Sequence, residues 1–429
     1  MKVWCNVKNP DIDRLKIALL HYSCPHVVGG VEEVIGQQAS LFHRHGHEVK
    51  IIAGKGDVFT EEFPVIINPL FSSTNTFVNR AQQELINGKR LHFDDLIENI
   101  FVELKSELES FDFLIAHNVM TMPYNLPLIF AIKKLADYEK VKVISWNHDS
   151  CYFFPDCPDV YHSEPWDILK TKIPSIHYVC ISEVRSKQFR ELYKTKEKIT
   201  AIPDGIDPPE FFQLAPDLKK IVREQKLYEA DLIMVHPSRL IPRKNFELGL
   251  KVVYALKKKG VNVRYLITGV YDPHEPKNLK YYRELKKIIK DFNITREVLI
   301  IADYPMKNGK KIIPDNTFIR DLYFIADILF MPSISEGFGL PLLEAGMAKL
   351  PIVCSDIPSF MEIGRDYVCS FSITDAPDRI AEKILHFLAT ISTHNMYRNV
   401  IEKYAWDAVY RNHIRPLFKK AMKARRGKV

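Results

Sequence analysis

The chain has 429 residues, more than one hydrophobic core organises, since cores stop growing near ~250–300 residues; two domains are expected. Hydrophobic residues make up 46% and charged residues 26%, the balance of a water-soluble globular chain, which excludes disorder, collagen-like repeats and coiled coil. The net charge of +7, from 60 lysines and arginines against 53 acids, is too small an excess to imply a nucleic-acid partner.

Lys2, Lys8, Asp11, Asp13 and Arg14 precede an apolar run at 17–20 that is too short for a signal-peptide core, so no export is expected. Short apolar runs then alternate with helical patterns, the signature of β-α units and parallel sheets. Strands are expected at 16–21, 48–53, 113–116, 141–146 and 177–181, with amphipathic helices such as 31–45 and 94–109 between them. The stretch 113–132 is the one test for a membrane span, and His117, Asn118, Pro123, Asn125 and Pro127 interrupt it. Turn chemistry concentrates at Ile202-Pro203-Asp204-Gly205-Ile206-Asp207-Pro208-Pro209, after which the alternation restarts. Second-half strands are expected at 232–236, 263–268, 298–302, 328–331 and 352–355. The pattern predicts an α/β chain of two doubly wound domains joined near residues 205–230, with ligands at the carboxyl ends of the strands. The seven cysteines include no Cys-x-x-Cys pair, which suggests neither a zinc ribbon nor a disulfide framework and favours a reducing, cytoplasmic setting. The basic run Lys419-Lys420 to Lys423-Ala424-Arg425-Arg426-Gly427-Lys428 reads either as a solvated helix or as a surface for an anionic membrane, the second not favoured.

Five strand ends carry candidate chemistry. After 328–331 comes Pro332-Ser333-Ile334-Ser335-Glu336-Gly337-Phe338-Gly339-Leu340-Pro341-Leu342-Leu343-Glu344, a glycine-containing loop feeding a helix. Its free amides favour an anion, while Glu336 and Glu344 can accept hydrogen bonds from hydroxyls; together they suit a phosphate-linked sugar, or else are ordinary capping acids. After 232–236, Arg239 and Lys244 can grip phosphate oxygens and stabilise a departing diphosphate, or form a solvated basic loop. After the first strand, Gly29-Gly30-Val31-Glu32 offers a close backbone approach to phosphate or a plain tight turn; it matches neither G-x-G-x-x-G nor a P-loop, so NAD and ATP are poorly supported. After 141–146, His148 can bond a sugar hydroxyl with Asp149 orienting it, or be structural. His117 and Asn118, in a neighbouring strand-end loop, can shape an acceptor pocket.

In this order these segments resemble the retaining glycosyltransferases of family 4, which have the GT-B fold: two Rossmann-like doubly wound domains facing a central cleft. The resemblance runs over most of the chain, from Gly29-Gly30 through His148, the 202–207 segment, Arg239 and Lys244 to Glu336 and Glu344. It implies an acceptor-side domain at 1–205, a nucleotide-sugar domain at 206–403, and a last helix, within 404–429, that packs back on the first. It also implies roles: Glu336 and His148 at the reacting sugar; Arg239, Lys244 and Gly30 at the diphosphate; Gly337, Phe338, Gly339 and Leu340 at sugar and phosphate; Glu344 at the ribose. The strand-end positions themselves, rather than the resemblance, put His117, Asn118 and Asp149 toward the acceptor. No covalent cofactor and no bound metal are implied, although a divalent ion could stimulate. The partners are a nucleotide-diphospho-sugar and a sugar or sugar-phosphate acceptor.

The family pattern is departed from at Ala302-Asp303-Tyr304, where the usual glycine is absent, and at the insertion 305–316, which leaves the base open. Similarity to mannosyltransferases that make small solutes points to GDP-mannose and an acceptor such as glucosyl-3-phosphoglycerate. The alternatives are a UDP-sugar donor with a lipid or polysaccharide acceptor, a non-catalytic GT-B partner subunit, and a sugar-nucleotide epimerase. Oligomeric state is not implied.

Overall fold

The computed structural model describes residues 14–138, 140–269, 276–305 and 311–426. Lys428 of the terminal basic run and residues 306–310 of the insertion lie outside them. The chain divides into two compact units, Met1–Asp207 with Tyr404–Val429, and Pro208–Lys403.

Among the described residues the first unit holds seven strands: β1 (Lys16–His21), β2 (Glu48–Ala53), β3 (Val65–Ile67), β4 (Phe113–His117), β5 (Lys142–Asn147), β6 (Ile176–Cys180) and β7 (Thr200–Ala201). They form one parallel sheet in the order β3-β2-β1-β4-β5-β6-β7. The second unit holds β8 (Leu232–His236), β9 (Val263–Ile267), β10 (Val298–Ile300), β11 (Ile328–Met331), β12 (Ile352–Ser355) and β13 (Cys369–Phe371), parallel in the order β10-β9-β8-β11-β12-β13. Each sheet is doubly wound, and its strand order reverses between β1 and β4 or between β8 and β11. Loops leave opposite ways there and open a crevice past the strand ends.

Both faces of each sheet are covered, so the central strands are apolar throughout rather than alternating. The period of two survives in which core each residue enters. Ala18 and Leu20 of β1 join Leu114 and Ala116 of β4 on one face, while Ile17 and Leu19 join Phe113 and Ile115 on the other. In β8, Ile233 and Val235 face one core and Leu232 and Met234 the opposite one.

The segment after Tyr404 completes the second face of the first sheet, with Trp406, Val409, Ile414 and Phe418 packed among Phe42, Phe113 and Ile144. Polar ties hold it there: Trp406 Nε1 donates to Gln37 Oε1 at 2.5 Å, and His47 Nε2 lies 2.6 Å from the Tyr410 hydroxyl. No described helix is long and apolar enough to cross a membrane.

The strands expected from the sequence are present with shifts of a residue or so at their ends. One exception is the 298–302 run, where the strand stops at Ile300 and Ile301–Asp303 turns into a 3-10 helix. β3, β7 and β13 were not expected: each has only two or three residues, too few to show a period.

Candidate active site

In the second unit the switch point lies between β8 and β11, and each strand delivers one half of a charged constellation. β8 runs out to a 3-10 turn, Pro242–Lys244, and β11 to a loop that opens the helix Leu340–Met347. Gly339 precedes that helix at φ +114°, where a side chain is strained, and a Cβ there would meet Phe360 Cδ1 at 3.0 Å. The two loops are stitched together by the Ile334 amide donating to the Arg243 carbonyl at 2.8 Å.

Glu336 is the hub. Its carboxylate takes the Lys244 ammonium on Oε1, Arg243 Nη1 on Oε2 at 2.8 Å, and the Ser333 hydroxyl on Oε1 at 2.9 Å. Arg243 Nη1 also donates to the Ser335 carbonyl at 3.0 Å, and Ser355 Oγ fixes the loop by donating to the Ser333 carbonyl at 2.6 Å. The Glu336 side chain is only 8% exposed. Burial alone would raise its pKa, but the hydrogen bonds from Lys244, Arg243 and Ser333 outweigh it and hold the carboxyl below its ordinary value. Glu336 is therefore an ionised acceptor on a fixed loop, with two cations beside it.

The other expected residues of this unit make no hydrogen bond or ion pair to the hub among the described residues. Arg239 is exposed and makes no side-chain hydrogen bond or ion pair among the described residues. Glu344 is engaged by the Tyr323 hydroxyl at 2.6 Å; burial, then that carboxylate, pushes the Tyr323 phenol far above its usual range. Phe338 and Leu340 are exposed at 54% and 61%, and a Cβ on Gly337 would meet nothing within 4 Å, so this loop face is open to a ligand. Arg243 and Ser333 were missed by the sequence reading; their only signals were adjacency to Lys244 and a spacing of three from Glu336.

In the first unit, β1, β4 and β5 end side by side and bring three histidines together. His148 Nδ1 lies 3.2 Å from Asp204 Oδ2, His148 Nε2 lies 3.2 Å from His117 Nδ1, and His21 Nδ1 donates to the His117 carbonyl at 2.7 Å. Beyond His21 stands Glu32, its Oε1 3.9 Å from His21 Nε2 and bonded by the Ser23 hydroxyl at 2.5 Å. Burial takes His117 well below its ordinary pKa, with His148 and His21 adding to the effect. Burial likewise takes His21 down to about 4, against the opposing pull of the His117 carbonyl and Glu32. Both rings are neutral at pH 7.

The tautomers follow from the partners. A carboxylate only accepts, so His148 carries its proton on Nδ1 toward Asp204. With Nε2 of that ring accepting, His117 donates from Nδ1, and His117 Nε2 is buried with no hydrogen-bond partner among the described residues.

Asn118, at φ +56°, acts as a clamp between loops: its Oδ1 accepts from the amides of His148 at 3.1 Å and Asp149 at 2.9 Å, and from Thr121 Oγ1 at 3.2 Å. Asp149 bonds Arg185 Nη2 at 3.0 Å. His117 is fully buried, so of the three residues expected toward an acceptor only Asp149 retains appreciable exposure. Gly30 begins the helix Gly30–Arg44, and a Cβ on it would meet nothing within 4 Å. Glu32, His21 and Asp204 were not read as site residues.

Among the described residues no group of three or more His, Cys, Asp or Glu is placed to hold a metal ion. A cavity of about 250 Å³ lined by Val102, Lys105, Leu135 and Tyr138 lies at the carboxyl ends of two helices, Phe93–Glu107 and Leu126–Asp137, away from both switch points.

Two doubly wound parallel sheets, each gathering charged side chains past its strand ends, define a GT-B enzyme. Residues 28–210 match the model of the Glycosyltransferase Family 4 and residues 217–404 that of the Glycosyl transferases group 1. The chain belongs to the family 4 glycosyltransferases and is a nucleotide-sugar-dependent hexosyltransferase. It is 23% identical to the mannosylglucosylglycerate synthase of Petrotoga mobilis over 378 residues, 81% of this chain and 83% of that protein. It is also 23% identical to the trehalose synthase of Thermococcus litoralis over 382 residues, 86% of this chain and 82% of that protein. Among solved structures, a glycosyltransferase from Rickettsia africae overlays with a TM-score of 0.38 at 18% identity, covering 96% of this chain and 100% of that one.

Proposed function

We propose that the protein transfers mannose from GDP-mannose, with retention at the anomeric carbon, to a small hydrophilic sugar acceptor such as glucosyl-3-phosphoglycerate. The observation that carries the donor half is Glu336, an ionised carboxylate with Lys244 and Arg243 on its two oxygens at the β8–β11 switch point. The carboxylate accepts from sugar hydroxyls, and Lys244 with Arg239 favours the diphosphate. The mannosyl and acceptor half is supported by the likeness to a mannosylglucosylglycerate synthase.

In this reading Arg239 and Lys244 hold the diphosphate, joined by Gly30. Glu336 and the amides of Gly337, Phe338 and Gly339 hold the mannose, Leu340 lies by the phosphate, and Glu344 takes the ribose hydroxyls. Residues 206–403 serve as the donor side; 1–205 with 404–429 serve as the acceptor side. His148 lies by the reacting sugar carbon, Asp149 takes an acceptor hydroxyl, and Asn118 and His117 shape that pocket from beneath. The acceptor oxygen attacks the anomeric carbon on the face from which the diphosphate departs. The C–O bond to phosphate breaks with its electron pair going to the phosphate oxygen, the acceptor proton goes to that oxygen, and GDP leaves. Lys244 and Arg239 stabilise the charge that develops on it. No resident metal is invoked. The setting is the cytoplasm, supported by six described cysteines that are all unpaired.

The test is a product screen of the purified protein with GDP-mannose and UDP-glucose against glucosylglycerate, glucosyl-3-phosphoglycerate, glucose, and a lipid-linked sugar. A mannoside formed from GDP-mannose on a glycerate acceptor is expected. Activity confined to the lipid-linked acceptor, or to UDP-glucose, overturns the reading, and conversion of the donor without any acceptor indicates an epimerase.

A further inference from the structure

Lys244 cannot serve two anions alone. Its ammonium is engaged by Glu336, and its side chain is 12% exposed against 8% for Glu336. A diphosphate beside them adds more negative charge than one ammonium balances. If Lys244 turns toward it, a nearly buried carboxylate loses a partner, and such a group then shifts, takes a proton or follows the cation. A second cation is already in place. Arg243 Nη1 is bound both to Glu336 Oε2 at 2.8 Å and to the Ser335 carbonyl at 3.0 Å. Ser333 Oγ remains on Oε1 at 2.9 Å. The Arg243 side chain is 46% exposed, and its backbone carbonyl is itself fixed by the Ile334 amide at 2.8 Å.

We propose that Arg243 is a positioning residue that holds Glu336 in its sugar-facing orientation while Lys244 turns its ammonium to the donor diphosphate. This rests on the proposed donor-binding role of Lys244. Arg243 then contributes to the affinity for the sugar and not to that for the nucleotide: its effect passes through Glu336, whereas Arg239 and Lys244 hold the phosphates. Both contacts come from the one nitrogen Nη1, and a lysine ammonium also carries several donors on one nitrogen but on a shorter, differently shaped stem, so lysine at this position substitutes in part.

The experiment is calorimetric titration of GDP, GDP-mannose, UDP and UDP-glucose into the wild type, Arg243→Met, Arg243→Lys, Glu336→Gln and the Arg243→Met/Glu336→Gln double variant, each checked for an unchanged melting profile. Arg243→Met is expected to leave nucleoside diphosphate affinity within about twofold while weakening the sugar nucleotide and lowering kcat by about tenfold. Arg243→Lys should recover part of that loss, and in the Glu336→Gln background Arg243→Met should add almost nothing, as coupled residues do. Equal loss of affinity for nucleotide and sugar nucleotide makes Arg243 a phosphate ligand and overturns the proposal, as do additive losses in the double variant. A wild type that binds neither GDP nor UDP overturns the donor-binding reading instead.

Discussion

His148 Nδ1 stands 3.2 Å from Asp204 Oδ2, so the segment 202–207, which reads in the sequence as turn chemistry, also orients the histidine at the end of β5. Asp204→Asn is the informative change, because an amide can offer N–H to Nδ1 and drive the ring proton to Nε2, where it meets the His117 Nδ1–H. Turnover is expected to fall roughly tenfold, about 1.4 kcal/mol of barrier. The donor KM should stay within about twofold, since the ring's orientation and not the diphosphate site is altered. Imidazole 15N shifts of His148 read the tautomer directly; an unchanged pattern together with unchanged turnover would remove Asp204 from this role.

Glu336 and Lys244 meet across 92 residues of sequence; removing Glu336 takes the carboxylate from Lys244, and removing Lys244 leaves Glu336 with Arg243 and Ser333 only. Glu336→Ala or Lys244→Ala is expected to lower turnover by about two decades or more, the scale of losing a preorganised charged group at a transition state. Circular dichroism and melting should show the fold retained. Turnover within a factor of about two of the wild type for either variant would exclude this constellation from the chemistry.

How much of this was legible in the sequence divides along the range of the interactions. The apolar runs of β1, β4, β8 and β11 announced themselves, and the polar segments following them marked strand ends where ligands are expected. The pairings did not. Arg243 and Glu336 lie 93 residues apart and His117 and His148 lie 31 apart, and no local pattern states which side chain crosses to which. Arg239 stood out in the sequence over Arg243, yet in the structure Arg243 holds the carboxylate and Arg239 is exposed. Asn118 shows the same effect: its polar side chain suggested a ligand, whereas its oxygen is spent on two backbone amides and Thr121.

His47 makes the first unit acid-sensitive in a defined window. Its Nδ1 accepts from the Leu15 amide at 3.3 Å and its Nε2 faces the Tyr410 hydroxyl at 2.6 Å, so the neutral ring fits and a second ring proton does not. Burial, then His45, takes its pKa down to about 4 from the ordinary 6.5. With the folded value below the unfolded one, its stabilising contribution is full above pH ~6.5 and falls with pH by up to about 1.4 kcal/mol per unit until pH ~4. His47→Gln should give a melting temperature that changes less over that range than the wild type's. An equal slope in both proteins would show that His47 is not the sensitive group.

Gly205 is required by close packing. Its backbone lies against Trp406, and a Cβ added there would sit 2.5 Å from Trp406 Cδ2, a buried ring that cannot yield without moving the segment after Tyr404. The same neighbourhood carries an isolated β-bridge, Ile206 with Ala405, and the Ile206 amide donates to the Tyr404 carbonyl at 2.8 Å. Gly205→Ala is therefore expected to destabilise the first unit by about 1–3 kcal/mol, the cost of overpacking a tight contact. Denaturant melts followed by tryptophan fluorescence measure it, and Gly205→Ala in a Trp406→Ala background, where Cγ, Cδ2 and Cε3 are gone, should cost less relative to Trp406→Ala alone than Gly205→Ala costs in the wild type. A Gly205→Ala protein as stable as the wild type would mean that the Trp406 ring is free to shift.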